Sequence, residues 1–441
     1  MYKLVRNILI VLCTILVLPV ISYSQEITLN ELVSKALQNN QSIKTSVLEG
    51  NIADEKITET KSHMLPQLQV SGDYKYYSQM MIQLVPGSSM GGSSNVYSPF
   101  EFGTPWNLGT TFSLGQLLYS QEYITGVKMA HLGKELNGLS LKKTKEDVVY
   151  NLSSAYYNAQ ILNAQMNFVN SNIANMSKLI STGELLYENQ MIKNSDVDKL
   201  RLNKTMLETQ EKNLKVSYDE VINVLKFLSG IPQAENLTIN NEINTKTEIL
   251  PFSKIKPDRI ELRLLEKQKE FNELERKNIF AGYLPTLSFY GTFNYTYFAK
   301  GGGADLFKGY PASWFGLQLS WNLFDGFGRK SKIDQKKIEF NKLDIQLNQL
   351  NENIDMELTN ARNQIVLQET TIQSRKDQLA LAEKIYEQTQ MQFKEGLINI
   401  TDVIQADNSL REAQNNYIVS VINLLNAQLK WKKAAGKLIN E

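Results

Sequence analysis

The sequence predicts a mainly helical protein that carries a membrane-type β-sheet and consists of two related halves. Three observations lead to this fold class. Two stretches of more than a hundred residues lack proline, apolar residues within them follow a heptad pattern, and two pairs of segments alternate apolar with polar residues. We expect long coiled-coil helices from the first two observations and four strands per chain from the third.

The chain begins with a segment that is typical of a signal peptide. Two positive residues precede an apolar run at 8–20, and the small residue Ser24 offers a cleavage point, so residues 1–24 would be removed on export. A lipoprotein would need Cys13 as the acylated residue, but Leu12 is large and the apolar run continues past it. Cys13 is the only cysteine, so the mature chain would have neither disulfides nor a catalytic thiol.

Charge and hydropathy exclude two classes of protein. Removing Lys3 and Arg6 changes the formal charge from +1 to about −1. A nucleic-acid-binding protein needs a basic surface, so this class is not expected. No apolar run of about eighteen residues follows the signal peptide, so we expect no transmembrane helix. Any part that spans a membrane must then consist of strands in a closed barrel.

The two proline-free stretches carry related heptad seams. A repeat of 3.5 residues indicates helices that pack as left-handed coiled coils. The second seam lies 206 residues after the first and has two polar members, Gln368 and Arg375. The first seam is Val148, Leu152, Ala155, Ala159, Leu162, Met166, Val169, Ile173, Met176 and Ile180, and the second is Ile354, Leu358, Ala361, Ile365, Gln368, Ile372, Arg375, Leu379, Ala382 and Tyr386.

The same offset relates shorter motifs, which predicts an internal duplication. Ser195–Val197 falls on Thr401–Val403, and Ser229–Gly230 falls on Ala435–Gly436. The offset is far longer than a solenoid repeat, so the chain should contain two homologous halves. The predicted organisation is a signal peptide at 1–24, a first repeat at 25–230, a linker or equatorial segment at 231–257 and a second repeat at 258–441.

Each half contains two segments of strict alternation, with one apolar and one polar face. The predicted strands are about 66–77, 106–118, 285–298 and 313–323, joined within each half by Gly/Ser-rich loops at 78–105 and 299–312. This pattern is typical of a transmembrane barrel. A soluble sheet with one buried face would show the same alternation.

The number of strands and the lengths of the helices indicate that several chains assemble together. About eight strands are needed to close a barrel, and lipid does not accept an open sheet edge. Either the sheet is soluble or several chains share one barrel, and three chains would supply twelve strands. The long helices, 122–188 and 327–395, are each roughly 100 Å in length. Two pairs of shorter helices, 28–64 with 194–228 and 258–282 with 400–436, match the long helices in length when placed end to end, which gives four helical columns per chain. The strands then lie at one end of the columns, and the helix turns near 188–195 and 394–401 lie at the other end.

Several motifs, in order and duplicated, resemble the outer-membrane efflux (TolC) family over essentially the whole mature chain. They are Leu29–Val33 with Ala36-Leu37 and Asn39-Asn40 in the opening helix, Leu65–Leu68 and Leu284–Leu287 before strands, Leu118–Gln121 and Leu323–Gly326 after strands, and Gly396–Ile398 followed by Thr401–Val403 at a helix turn.

The resemblance implies a homotrimer with a twelve-stranded outer-membrane barrel and a twelve-helix periplasmic tunnel. Such a channel is the passive exit duct of a tripartite efflux or type I secretion system. Its partners would be an inner-membrane pump of the RND or ABC type, a periplasmic adaptor (membrane fusion) protein and outer-membrane lipid, without nucleic acid, cofactor, metal or catalysis. The competing interpretations are a periplasmic structural coiled-coil protein with a soluble sheet, and an enzyme, for which no HExxH, GxSxG or phosphate-binding loop is present.

Three groups of residues are candidate sites. The adaptor-docking tips are Gln190, Met191, Ile192, Gly396, Leu397 and Ile398; the periplasmic constriction is Asp402, Asp196 and Gln405; the membrane-girdle aromatics are Tyr74, Tyr76, Phe293, Tyr295, Tyr297, Phe315 and Trp321.

Each group has an alternative role. The tip residues would otherwise staple their turns, with Gly396 as a left-handed helix cap, although Gln190 stands at the matching position of the first half. The resemblance makes Asp402 part of a ring of three carboxylates that filters cations or binds a divalent ion, whereas an Asp at a helix start also caps backbone N–H groups. The aromatic residues would otherwise pack within a soluble sheet.

Overall fold

The computed structural model describes residues 26–86, 91, 97–243, 258–300 and 308–439. The predicted signal peptide, part of the predicted linker and the tip of the loop at 299–312 lie outside the described residues. Two compact units are present, Met1–Val47 with Leu139–Arg263 and Asn348–Glu441, and Leu48–Gly138 with Leu264–Leu347. Each unit combines segments from both predicted repeats. The division into units therefore does not test the repeat boundaries, which stay a prediction.

The helix predicted at 28–64 is in fact two helices. Helix α1 (Leu29–Asn39) starts with a capping box in which Thr28 and Glu31 exchange hydrogen bonds. Helix α2 (Gln41–Ser62) follows after a break at Asn40. The buried Asn40 side chain accepts from the Ser42 N–H at 2.9 Å and donates to the Leu228 carbonyl at 2.7 Å, so the break is held by a residue distant in sequence.

The other helices begin and end within two residues of the prediction. They are α3 (Gln121–Glu188), α4 (Asn194–Ser229), α5 (Ile260–Ala281), α6 (Gly328–Lys394) and α7 (Ile400–Ala434). At 68 and 67 residues, α3 and α6 are each about 100 Å long. Among the described helices, none is both long enough and apolar enough to cross a membrane.

Both heptad seams lie in helix contacts. All twenty seam residues are buried or half-buried, and Gln368 is among the buried ones. One core of the first unit draws on four helices, with Met176 from α3, Leu200 from α4, Phe393 from α6 and Val403 from α7 each almost fully buried. The seams therefore hold the helices of this unit side by side.

Four strands form one antiparallel sheet in the second unit. They are β1 (Gln67–Tyr76), β4 (Trp106–Tyr119), β5 (Thr286–Ala299) and β6 (Lys308–Ser320), in the order β1-β4-β5-β6. Strand β6 begins five residues before its predicted start. Within this sheet β1 and β6 are the edge strands.

The segment at 78–105, predicted as a loop, contains two further strands. Strands β2 (Met81–Pro86) and β3 (Tyr97–Phe102) form a separate two-stranded antiparallel sheet. The described chain therefore has six strands, and the expectation of four is corrected. Gly and Ser dominate only the middle of this segment, while its flanks carry the β-branched and aromatic residues that favour strands.

Candidate functional site

The turn between α3 and α4 closes with a Schellman motif. The Gln190 N–H donates to the Tyr187 carbonyl and the Met191 N–H to the Leu186 carbonyl, both at 2.8 Å. Gln190 has φ 61°, a left-handed conformation that costs a residue with a side chain about 1 kcal/mol. The turn after α3 therefore closes in the left-handed conformation without a glycine.

The turn between α6 and α7 has the same geometry with glycine in the left-handed position. Gly396 has φ 72°, its N–H donates to the Phe393 carbonyl at 2.9 Å, and the Leu397 N–H donates to the Gln392 carbonyl at 2.9 Å. A Cβ atom on Gly396 would lie 2.7 Å from the Met191 Cε atom. The two turns are therefore adjacent, and glycine is favoured at 396 by its positive φ, since the exposed Met191 side chain could move away from a Cβ atom.

The four apolar residues of the turns divide into two pairs. Ile192 and Ile398 pack against the core of their unit, so these two staple the turns. Met191 and Leu397 remain 57% and 74% exposed. Stapling and surface exposure thus fall on different residues, and docking through Met191 and Leu397 stays a prediction.

Asp196 supports the start of α4, whose N-cap residue is Lys193. It is the third residue of α4, and its carboxylate accepts from the Lys193 N–H at 3.4 Å and pairs with Lys199 at 2.9 Å. The hydrogen bond from Lys199 is the main reason why the pKa of Asp196 is lowered. These contacts support the alternative role for this residue.

Asp402, at the same position of α7, is different. Its side chain is exposed and makes no hydrogen bond or ion pair with another described residue. Gln405 lies one turn further on the same exposed face. Nowhere in the described residues do three His, Cys, Asp or Glu side chains converge to hold a metal ion.

A buried carboxylate near the second turn was missed by the sequence analysis. Asp407 has a side chain that is 2% exposed, and burial raises its pKa although the Arg411 Nε atom lies 3.0 Å from its Oδ2 atom. The Tyr386 hydroxyl is also buried and has no hydrogen-bond partner among the described residues. Asp407 continues the heptad spacing of Val403 and Leu410, so a polar residue at an apolar position was the available signal.

The strand register places the predicted aromatic residues on one face of the sheet. Residues directly opposite each other on neighbouring strands lie on the same side. Six of the seven predicted residues share the apolar side, and Trp321 follows β6 in the same alternation. The large apolar members of this face are Leu68, Val70, Tyr74, Tyr76, Trp106, Leu108, Phe112, Leu114, Leu287, Phe289, Phe293, Tyr295, Tyr297, Phe315, Leu317 and Leu319.

The other face of the sheet is mainly polar. The Asn294 amide donates to the Thr111 hydroxyl across two strands at 2.7 Å. Further members are Gln69, Ser71, Asp73, Asn107, Ser113, Ser288, Thr292, Thr296, Gln318 and Ser320. The separation of the two sides holds for most positions of the four strands. The exceptions include Tyr290, Phe298, Tyr310 and Trp314 on the polar side, and Thr110, Gln116 and Ser313 on the apolar side.

Aromatic rings on the apolar face gather at the end where β1 leads into β2. Trp106, which the prediction omitted, lies 5.5 Å from Tyr74 and 4.4 Å from Tyr76 between ring centroids. Tyr295 and Tyr297 are 4.9 Å apart. Trp321 lies beyond the opposite end of β6, so the rings occupy two levels along the strands.

Comparisons with known proteins agree with this architecture. Residues 280–437 match a family described as "Outer membrane efflux protein". The chain is 20% identical over 427 residues to the outer membrane protein TolC of Salmonella enteritidis, covering 94% of this chain and 83% of that protein.

Solved structures show the same fold. The outer membrane protein VceC of Vibrio cholerae superimposes with a TM-score of 0.72 at 16% identity, covering 92% of this chain and 96% of that one. The outer membrane channel CmeC of Campylobacter jejuni gives 0.72 at 16% identity, covering 93% and 85%. The resemblance predicted from the sequence motifs is confirmed.

Proposed function

From its confirmed resemblance to the outer-membrane efflux protein family, we propose that this chain is the outer-membrane exit duct of a tripartite efflux or type I secretion system. It resides in the outer membrane and extends into the periplasm. An RND or ABC pump in the inner membrane selects and drives the cargo, a periplasmic adaptor joins pump to duct, and the duct conducts passively.

The observation that carries this proposal is a two-faced sheet with two open edges. Four strands are too few to close, and in lipid every edge must be paired. Successive strands in the order β1-β4-β5-β6 are antiparallel, so β6 of one copy and β1 of the next would also run antiparallel. Three copies would then close twelve strands, with the polar face inside and the apolar face towards lipid.

The apolar stretch of β5 between the two aromatic levels fits a membrane. Tyr297 belongs to the aromatic group near the β1–β2 end, and Leu287, which lies opposite Leu319, is two residues short of the level of Trp321. The ten residue steps of β5 between Tyr297 and Leu287 span about 34 Å. With the strand tilt of about 40° that barrels adopt, their height is about 26 Å, close to the apolar band of outer-membrane barrels.

The helices support the tunnel and the internal duplication. Helices α3 and α6 end at Glu188 and Lys394, and α4 and α7 start at Asn194 and Ile400, so both boundaries repeat at the offset of the sequence motifs. In the trimer we propose four helical columns per copy and twelve in all.

The two turns and the helix starts beside them would bind the adaptor and form the constriction. Met191 and Leu397 are the proposed apolar anchors for the adaptor, because they are exposed while their neighbours staple the turns. Asp402, with Gln405 beside it, is the proposed constriction residue, because its carboxylate is free to face its copies.

Membrane fractionation followed by light scattering tests the proposal. The mature protein should fractionate with the outer membrane, require detergent and have the mass of a trimer. A periplasmic structural coiled-coil protein would instead be recovered in the soluble periplasmic fraction as a monomer or dimer, and that result would contradict the channel.

A further inference from the structure

The segment that joins β6 to α6, residues 321–327, exposes a dense group of apolar side chains. Trp321, Leu323, Phe324 and Phe327 are between 57% and 72% exposed. At the corresponding junction before α3, Leu118 and Tyr119 are less exposed, at 39% and 41%. A contiguous exposed apolar group of this kind indicates an interaction surface.

Hydrogen bonds hold this segment in place. The Trp321 indole N–H donates to the Tyr283 carbonyl at 2.9 Å, and the Arg329 guanidinium lies over the Tyr283 ring at 5.2 Å. Arg329 also donates to the Asn322 carbonyl at 3.1 Å, and its backbone N–H donates to the Asp325 carboxylate at 2.8 Å. An ordered backbone therefore presents the exposed rings.

Phe327 carries local backbone strain. Its φ of 67° lies in the left-handed region, which a bulky aromatic residue rarely adopts and which glycine adopts freely. Its ring packs edge-on against Phe324 at 5.3 Å but stays 65% exposed. Burial within this chain does not offset the strain, so the position of the ring at the surface needs another reason.

Positive charges flank the rings. Lys330 and Lys332 are exposed in the first turns of α6, and neither forms an ion pair with another described residue. The first turn of α6 contains no acidic residue. Cations near a helix N-terminus oppose the helix dipole, so these lysines do not serve the stability of α6.

A groove beside the segment adds further cations. It has a volume of about 590 Å³ and lies between α3 and the end of α5. Lys128 and Lys277 line it and are exposed, and Arg276 lines it while pairing with Glu273 at 2.5 Å. Phe280 contributes an exposed ring to the same groove. The groove thus adds one exposed ring and three cations near the end of the sheet from which residues 321–327 leave.

We propose that residues 321–327 and these lysines bind anionic phospholipid at the periplasmic surface of the outer membrane. The rings enter the boundary between acyl chains and headgroups, where aromatic residues are favoured. Lys330, Lys332, Lys128 and Lys277 contact the phosphates. The inference rests on the proposed function, since only an outer-membrane sheet brings this segment to the leaflet.

Two features favour lipid over a second copy as the occupant. The apolar row of Phe315, Leu317 and Leu319 continues through Trp321, so the segment extends the face that would contact lipid. Edge pairing in a trimer would bring the residues before β1, Ser62–Pro66, to this place. These residues include no acidic side chain that could pair with the lysines.

Native mass spectrometry of the mature, full-length protein provides the test. The protein in detergent is given equal amounts of phosphatidylglycerol and phosphatidylethanolamine, and the retained lipids are counted. The wild type should prefer phosphatidylglycerol, and the variant Lys330→Gln/Lys332→Gln should retain about tenfold less of it. The control Lys337→Gln/Lys342→Gln, which removes two exposed lysines farther along α6, should keep the preference.

Phe327→Gly separates lipid binding from folding. Glycine relieves the strain, so the melting temperature should stay the same or rise while lipid retention falls. An unchanged lipid preference in Lys330→Gln/Lys332→Gln would overturn the proposal. So would a variant that loses its trimeric state but not its bound lipid. Displacement of the lipid by inorganic phosphate at matched ionic strength would also overturn it. A membrane-bound trimer without lipid preference rejects this inference alone, whereas a protein absent from the outer membrane rejects the proposed function.

Discussion

Gly396 is the turn residue at which an added side chain should do most harm. A side chain there would have to adopt a positive φ and would meet Met191. For Gly396→Leu we expect the free energy of unfolding to fall by about 1–3 kcal/mol, trimers still to assemble, and drug tolerance of the cells to be lost. Gln190→Gly is the control, because it keeps the turn and relieves strain. Normal drug tolerance in Gly396→Leu would count against docking through the turns.

The two aspartates should respond differently to alanine. Asp196 lies in the first turn of α4 and accepts the Lys193 N–H, so Asp196→Ala should cost about 0.3–1 kcal/mol of stability and leave conductance unchanged. Asp402 has no such contacts within the described chain, so Asp402→Ala should leave stability intact and alter single-channel conductance or its block by divalent ions. Equal conductance in wild type and Asp402→Ala would remove this residue from the gate.

At the scale of the element, the two faces of β5 should differ in their tolerance of charge. Phe293 lies on the apolar face and its neighbour Asn294 on the polar face. Lysine on the lipid side of a barrel costs about 2–4 kcal/mol near the midplane. We expect Phe293→Lys to reduce trimers recovered from the outer membrane, and Asn294→Lys to assemble normally. Equal recovery would indicate that the apolar face does not contact lipid.

Helices α3 and α7 share a buried polar contact. The Asn172 amide donates to the Gln414 carbonyl oxygen at 2.9 Å, and both residues are buried. Either single change to leucine leaves one amide unsatisfied and should cost about 1–3 kcal/mol in thermal unfolding. The double variant Asn172→Leu/Gln414→Leu should recover most of this loss. Additive losses would mean that the two amides do not act as a pair.

The elements that the sequence predicted well are those with local signals. Proline gaps and heptads set the long helices, and alternation set the strands of the main sheet. The break at Asn40 was missed because its hydrogen-bond partner, the Leu228 carbonyl, lies 188 residues away in the chain. Strands β2 and β3 were missed because the Gly/Ser content of their connection concealed the apolar flanks.

The sequence predicted where the two turns lie in the chain but not which of their side chains are exposed. The motifs located both turns, yet the sequence could not tell that Ile192 points into the core and Met191 outwards. That division depends on the left-handed residue that precedes them. Burial of Asp407 likewise depends on which helices pack around it, which a single heptad does not specify.

For the whole molecule, the open edges of the sheet are the decisive feature. Strands β1 and β6 each leave one row of backbone groups unpaired within the described sheet. Long exposed edges promote association, and a homotrimer would pair every one of them. We therefore expect β6 of one copy to pair with β1 of the next.

Cysteine cross-linking between copies tests the pairing of β6 with β1. Cys13 lies in the predicted signal peptide and is the only cysteine. Ser71→Cys on β1 would be combined, one at a time, with cysteine at Ala312, Gly316 or Gln318 on the same face of β6. Within one copy the two edges are three strands apart, about 14 Å, beyond the reach of a disulfide. We predict a ladder of one, two and three linked chains that ends at three; monomers with every pair, or a ladder beyond three, would contradict the shared barrel.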